Sequence, residues 1–115
     1  MITLETLPQA TAQEVFNQVS AHLLKQDKKC VGDYNTCVYK NLKDNTACAA
    51  GCLIADSEYR TDFERKAWFT LVDRCMVPHA HWKLIESLQL VHDECPEHDW
   101  ENELKNIAEK NKFEL

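Results

Sequence analysis

The chain has little of what most ligand-handling folds need. Two glycines and three prolines in 115 residues leave no Gly-rich loop to cradle phosphate between a strand and a helix, and strands do not alternate with helices, so a doubly wound nucleotide-binding fold is disfavoured. The same scarcity leaves no room for a linker, and no internal repeat appears, so a single domain is expected. No apolar run is long enough to span a bilayer. Positive charge is also short: 13 Lys and Arg against 19 Asp and Glu give a formal net charge of −6. Lys28-Lys29 is a lone basic pair with no aromatic interleaving, which argues against direct nucleic-acid binding by phosphate neutralisation. The opening residues MITLETLPQATAQEVF lack the basic and apolar regions of a secretory signal, so a cytoplasmic setting with reduced thiols is expected.

Helical patterning dominates what is present. Thr11 and Glu14 have capping-box spacing, and Ala12, Val15, Phe16, Val19 and Leu23 fall on one face behind them, predicting a helix over 11–26. Thr61 and Glu64 repeat the signature before Trp68, Leu71, Val72 and Cys75, predicting a helix over 61–75. Pro78 can open the next helix, whose stripe is Leu84, Ile85, Leu88, Val91 and Cys95 until Pro96 stops it. In the last helix Trp100, Leu104, Ile107 and Ala108 share a face. Glu97, Asp99 and Glu101 lie at its start and Lys105, Lys110 and Lys112 toward its end, as the macrodipole prefers.

The least ordinary stretch is Cys37–Tyr59, CVYKNLKDNTACAAGCLIADSEY. Cys37-Val38-Tyr39 is β-prone, Lys40–Asn45 is turn-rich and Thr46–Cys48 can pair back, predicting a small hairpin. Ala47–Ala55 is almost entirely small residues, which predicts a buried helix with Cys48 and Cys52 on one face and other backbones packed close against it. The expected fold is therefore mainly α: a small single-domain helical fold with a short central small-residue helix and a minor β-hairpin.

The Cys-(apolar)-Tyr-basic run, the polar turn and the Cys-Ala-x-Gly-small-Leu-Ile segment closing on acidic residues and Tyr resemble a group of small bacterial and bacteriophage proteins of uncharacterised role. Val77-Pro78, Leu88-Gln89, His92-Asp93, and Trp100 followed by Leu104 extend the likeness from about Val15 onward. The resemblance implies a fold and a phage or prophage setting. It implies no activity and assigns no functional residue.

Three chemistries compete for the cysteines. Cys30, Cys37, Cys48 and Cys52 form the best four-ligand set for zinc, because a hairpin could bring the first two beside the central helix; their spacing is not that of a recognised zinc module. Cys75 with His79 and His81, and His92 with Cys95 and His98, offer further ligand types without module spacing. Cys48 at a helix N-terminus, with His79, His81 or His92 as base, is the thiol-enzyme version. The plain alternative is that these cysteines pack as small hydrophobes, and that His92-Asp93 is a surface pair near a helix end. Trp82 falls off the Leu84/Ile85/Leu88 stripe by about a quarter turn, as an interface anchor or as a rim residue covering the core edge. The reading that follows is a non-enzymatic cytoplasmic protein, phage- or prophage-encoded, that binds a host or phage protein. Structural zinc binding and Cys/His thiol catalysis are its alternatives.

Overall fold

A computed structural model covers all 115 residues. Its first long element is the best marked in sequence: α1, Ala12–Gln26, begins on a complete capping box. Glu14 N–H donates to Thr11 Oγ1 at 3.1 Å and Thr11 N–H donates to Glu14 Oε1 at 2.8 Å. Val15, Phe16, Val19 and Leu23 are its buried face, and Asp27 closes it in the left-handed conformation at φ 54°.

After α1 the chain is irregular for some forty residues, apart from a two-residue antiparallel pair. Strand β1, Lys40–Asn41, pairs with β2, Thr46–Ala47, in the register Lys40 to Ala47 and Asn41 to Thr46. The hairpin therefore exists, with its first strand just beyond the Cys37–Tyr39 run; Cys37 instead bridges Val31. The central small-residue helix is a single 3-10 turn, Gly51–Leu53, shorter than Ala47–Ala55. Pairing holds Ala47 extended, and Cys48 N–H is given to the Tyr39 carbonyl at 3.0 Å, so helical bonding starts only after the strand ends. Ala47, Cys48, Ala49, Ala50, Gly51, Leu53 and Ile54 are all buried, as the small-residue pattern requires.

The helix expected over 61–75 is interrupted. A 3-10 turn at Thr61–Phe63 is followed by extended Glu64 and by Arg65 at φ 64°, and α2 runs only over Trp68–Asp73. The cause is the residue that looked like a cap: Glu64 turns away from Thr61 and accepts the Tyr39 N–H and the Tyr59 hydroxyl. Helix α3, Trp82–Glu94, starts four residues after Pro78, because His81 is left-handed at φ 58° and its Nε2–H donates to the Ala10 carbonyl at 2.7 Å. A 3-10 turn at Glu97–Asp99 leads into α4, Trp100–Asn111. Helix α3 packs against α1, α2 and α4, and α1 also packs against α4 and the 51–53 turn. One core results, filled by Trp68, Trp100, Phe16, Phe63 and aliphatic side chains.

Irregular backbone packed along such a core has N–H and C=O groups with no ladder or helix partner. Side chains supply the partners. Gln26 takes the Ala47 N–H at 3.1 Å and gives to the Ala47 carbonyl at 2.9 Å. Gln18 does the same for Ile2, and Gln13 for Glu114. Glu58 accepts N–H groups from Leu4, Glu5 and Ala55.

Candidate functional site: a cleft beside the third helix

Segment 37–39, segment 64–68 and one flank of α3 enclose a cleft of about 360 Å³. Its wall on α3 is Glu86, Gln89, Leu90 and Asp93, residues that share a face at helical spacing. Tyr39 and Trp68 form the floor, edge to face with ring centroids 6.1 Å apart, and both are buried.

Cys37 and Asp93 of the cleft wall meet the buried His92, which does not itself line the cleft, with one ligand-type atom of each lying within 4.8 Å of the others. Their hydrogen bonds decide what they can do. His92 is fully buried, its ring stacked on Trp100 at 5.7 Å, and its Nε2 accepts the backbone N–H of Cys30 at 2.9 Å. A backbone N–H can only donate, so Nε2 carries a lone pair there and the imidazole proton sits on Nδ1, 2.7 Å from Asp93 Oδ1. Both nitrogens are occupied. A metal on Nδ1 would move the proton to Nε2, against the Cys30 N–H, the reverse of the acceptor that a metal-bound histidine normally faces with its outer nitrogen. The same occupancy removes His92 as a general base.

Asp93 also accepts from Gln89 Nε2 at 3.2 Å, and the Cys37 sulfur lies within 4.8 Å of it. Although the residue as a whole is exposed, partial desolvation of its sulfur against the cleft and then the negative charge of Asp93 push the Cys37 thiol up to about 11. A thiol so held keeps its proton near neutrality and is a poor nucleophile. Glu64, across the cleft, is engaged with Tyr39 N–H through both oxygens and with the Tyr59 hydroxyl.

The four cysteines proposed as a zinc set are not drawn into one cluster. Cys30 is buried with Sγ accepting from the Thr46 hydroxyl at 3.3 Å. Cys48 is buried with Sγ accepting Gly51 N–H at 3.2 Å, and burial drives its pKa well above the ordinary thiol value. Cys52 gives its S–H to the Ala49 carbonyl at 3.1 Å and is pushed by burial up to about 12. Cys37 alone of the four joins the His–Asp pair. Among the histidines considered as bases, His79 is exposed and His81 is pinned to Ala10. Cys75 is exposed on the turn after α2, Cys95 is half-buried, and His98 is exposed.

At the far end of α3, Trp82 is half-buried against the core edge. Its ring meets Phe69 of α2 at 5.5 Å and 53°, and Lys83 Nζ lies 5.7 Å from its centroid. Phe69 is 51% exposed, and its backbone N–H is held by Glu86 at 3.2 Å. Phe69 was missed in sequence because it lies inside an apolar-looking helix pattern. Its neighbours Trp68 and Leu71 take the inward face, and that offset is the signal that leaves Phe69 outward.

No helix is long and apolar enough to cross a membrane. No family model, curated protein or solved structure matches this chain.

Proposed function

We propose that this is a non-enzymatic protein that acts by binding another protein, in the cytoplasm of a bacterial host if its resemblance to phage proteins reflects its origin. The observation that carries the reading is the Phe69–Trp82 pair: a large exposed aromatic ring fixed against a half-buried tryptophan by ring contact and by the Glu86 bond to its own backbone. Rigid aromatic surface gives contact area at small entropic cost, and Trp is the residue most enriched among binding hot spots. The cleft beside it supports the same reading, because the His, Asp, Glu and thiol groups that could perform chemistry there are engaged in holding backbone or one another. The net charge of −6 favours approach to a basic protein surface.

The test is affinity capture from a bacterial lysate with the wild-type chain and with Phe69→Ser and Trp82→Ala, each confirmed folded by circular dichroism. The expected result is a protein retained by wild type and lost from both variants, with affinity reduced by about thirtyfold or more, the scale of a hot-spot truncation. Recovery of no partner at any salt concentration, or equal recovery by the variants, refutes it.

A further inference from the structure

Of the five histidines only His92 is buried, and its two ring nitrogens differ in what they tolerate. Nδ1–H donates to Asp93 on the same helix at 2.7 Å, and Nε2 accepts the Cys30 N–H from the segment after α1 at 2.9 Å. A proton added to Nε2 turns that acceptor into a donor facing a donor. The imidazolium therefore keeps Asp93 and loses Cys30. Because His92 and Asp93 are neighbours on α3, their contact is present whether or not Cys30 is attached, whereas the Cys30 bond belongs to the attached form alone. Protonation then favours the detached form, as linkage requires when one conformation binds the proton better than the other.

Cys30 opens a loop over 30–38. Its two arms are joined by Val38 N–H to the Cys30 carbonyl at 3.1 Å, by the Val31–Cys37 bridge and by Gly32 N–H to the Thr36 carbonyl at 2.8 Å. Residues 33–37 are all exposed, and Tyr34 and Asn35 at the tip sit at left-handed φ of 60° and 61°. With so little burial, the loop depends on the hydrogen bonds at its base. Beside the His92 bond, Asn41 Nδ2–H donates to the Val31 carbonyl at 2.9 Å and the Thr46 hydroxyl to Cys30 Sγ at 3.3 Å. Neither Asn41 nor Thr46 changes charge with pH; histidine does. The second arm carries Cys37 and Val38, which form one wall of the cleft.

The charged groups around His92 come from several elements. On α3, Asp93 steadies an imidazolium. On the loop side, Lys29 holds its Nζ 3.3 Å from the Asp93 carbonyl and opposes one. From α1, His22 is repelled by a charged His92. Desolvation holds the Cys30 and Cys37 thiols above the ordinary thiol value, so both are uncharged near neutrality, and Trp100 of α4, stacked on the ring, carries no charge.

We propose that His92 is a proton-operated latch: neutral, it holds the 30–38 loop against α3, and protonated, it releases Cys30 and frees the loop that forms one wall of the cleft. This goes beyond the binding of a protein at Phe69 and Trp82 and does not depend on it.

Amide hydrogen exchange, followed residue by residue by NMR from about pH 8 to about pH 5, the range in which histidine changes charge, tests it. After correction for the intrinsic pH dependence of exchange, protection of the Cys30 and Val38 amides is expected to fall by about tenfold or more toward acid, the scale of one buried hydrogen bond. The amides of α1 and α4 should keep theirs. His92→Gln places an uncharged carbonyl acceptor near the position of Nε2, and its Cys30 protection should not change with pH. Asp93→Asn keeps an acceptor for Nδ1–H but removes the charge that steadies an imidazolium, so its fall should move to lower pH; it reads the latch even if the glutamine variant does not fold. Cys30 protection equal at both ends of the range, a fall shared equally by α1 and α4, a fall that keeps its position in Asp93→Asn, or one that persists in folded His92→Gln overturns the proposal.

Discussion

Replacing Gly51 by alanine adds one methyl group where the backbone of Tyr39 passes directly against it. Gly51 has an ordinary negative φ, so conformational freedom does not explain the glycine; space does. A Cβ there would lie 2.8 Å from the carbonyl carbon of Tyr39, inside contact distance of its oxygen as well, and 3.4 Å from Ala47 Cβ. Carbon atoms prefer roughly 3.5–4.0 Å, so the carbonyl carbon alone demands a retreat of about 0.7 Å between the backbones at Tyr39 and Gly51, and the nearer oxygen demands more. That same Tyr39 carbonyl accepts the Cys48 N–H, and Tyr39 immediately precedes β1. Overpacking costs about 1–3 kcal/mol and weakening the Cys48 hydrogen bond about 1 kcal/mol, while alanine returns about 0.4–1 kcal/mol by restricting the unfolded chain. The net is a loss of about 1–3.5 kcal/mol, or roughly 5–15 °C in Tm for a domain of this size. Urea and thermal melts followed by circular dichroism measure it. The internal control is Gly32→Ala, whose Cβ would meet a Val38 methyl at 2.9 Å and nothing else closer than 3.8 Å. A methyl on a rotatable side chain can move, so this change should cost less than about 1 kcal/mol. A Tm for Gly51→Ala that is unchanged or raised, or a Gly32→Ala loss as large, refutes the account.

His92→Phe keeps an aromatic ring over Trp100 but leaves the buried Cys30 N–H without its acceptor, and should lower urea stability by about 1–3 kcal/mol. A neutral result would show that the His92 bond is dispensable. Burial alone would raise the pKa of Glu58, but N–H donors from Ala55, Leu4 and Glu5, with Lys40 nearby, outweigh it and hold the carboxyl below its ordinary value. Its contribution is present above the unfolded pKa of about 4.3 and disappears as pH falls through the lower folded value, so Glu58→Gln should reduce Tm at pH 7 and flatten its fall toward pH 3. A mutant curve parallel to wild type counts against this. In the folded protein at pH 7.5, iodoacetamide should label exposed Cys75 first and Cys48 and Cys52 slowest, with Cys37 slow despite its exposure. Peptide mapping that finds Cys37 or Cys48 as fast as a free thiol would revive thiol chemistry.

The parts of the fold legible in sequence are those whose signals are local. The Thr11/Glu14 box, the Val15–Leu23 stripe and the charge gradient of α4 act within one helix, and both helices run where those signals place them. Glu64 shows the opposite case: its capping spacing from Thr61 is real, but Tyr39 and Tyr59 compete for the same carboxylate from outside the segment. Long-range hydrogen bonds of this kind leave no periodic trace. The site was misread for a related reason. The cysteines drew attention by spacing, whereas the residue that ties the Cys30 backbone to Asp93 is the buried His92, read as a surface neighbour of Asp93. Its position held the signal, since 85, 88 and 92 are three and seven apart and put the imidazole on the core face with Ile85 and Leu88.

The three glutamines of α1 have a kinetic consequence. A side-chain amide sets an N–H donor beside a carbonyl acceptor and so can pair with both backbone groups of one residue, and Gln13, Gln18 and Gln26 hold Glu114, Ile2 and Ala47 in this way. Three clasps on the two chain ends and the hairpin thus depend on a single helix, beside the hold of Glu58 on Leu4 and Glu5 and of α4 on the residues before Glu114. Local opening of α1 would release all three together, so the amide protons of Ile2 and Ala47 should exchange with solvent no more slowly than those of the α1 backbone, and the chain should unfold as one cooperative body despite its long irregular middle.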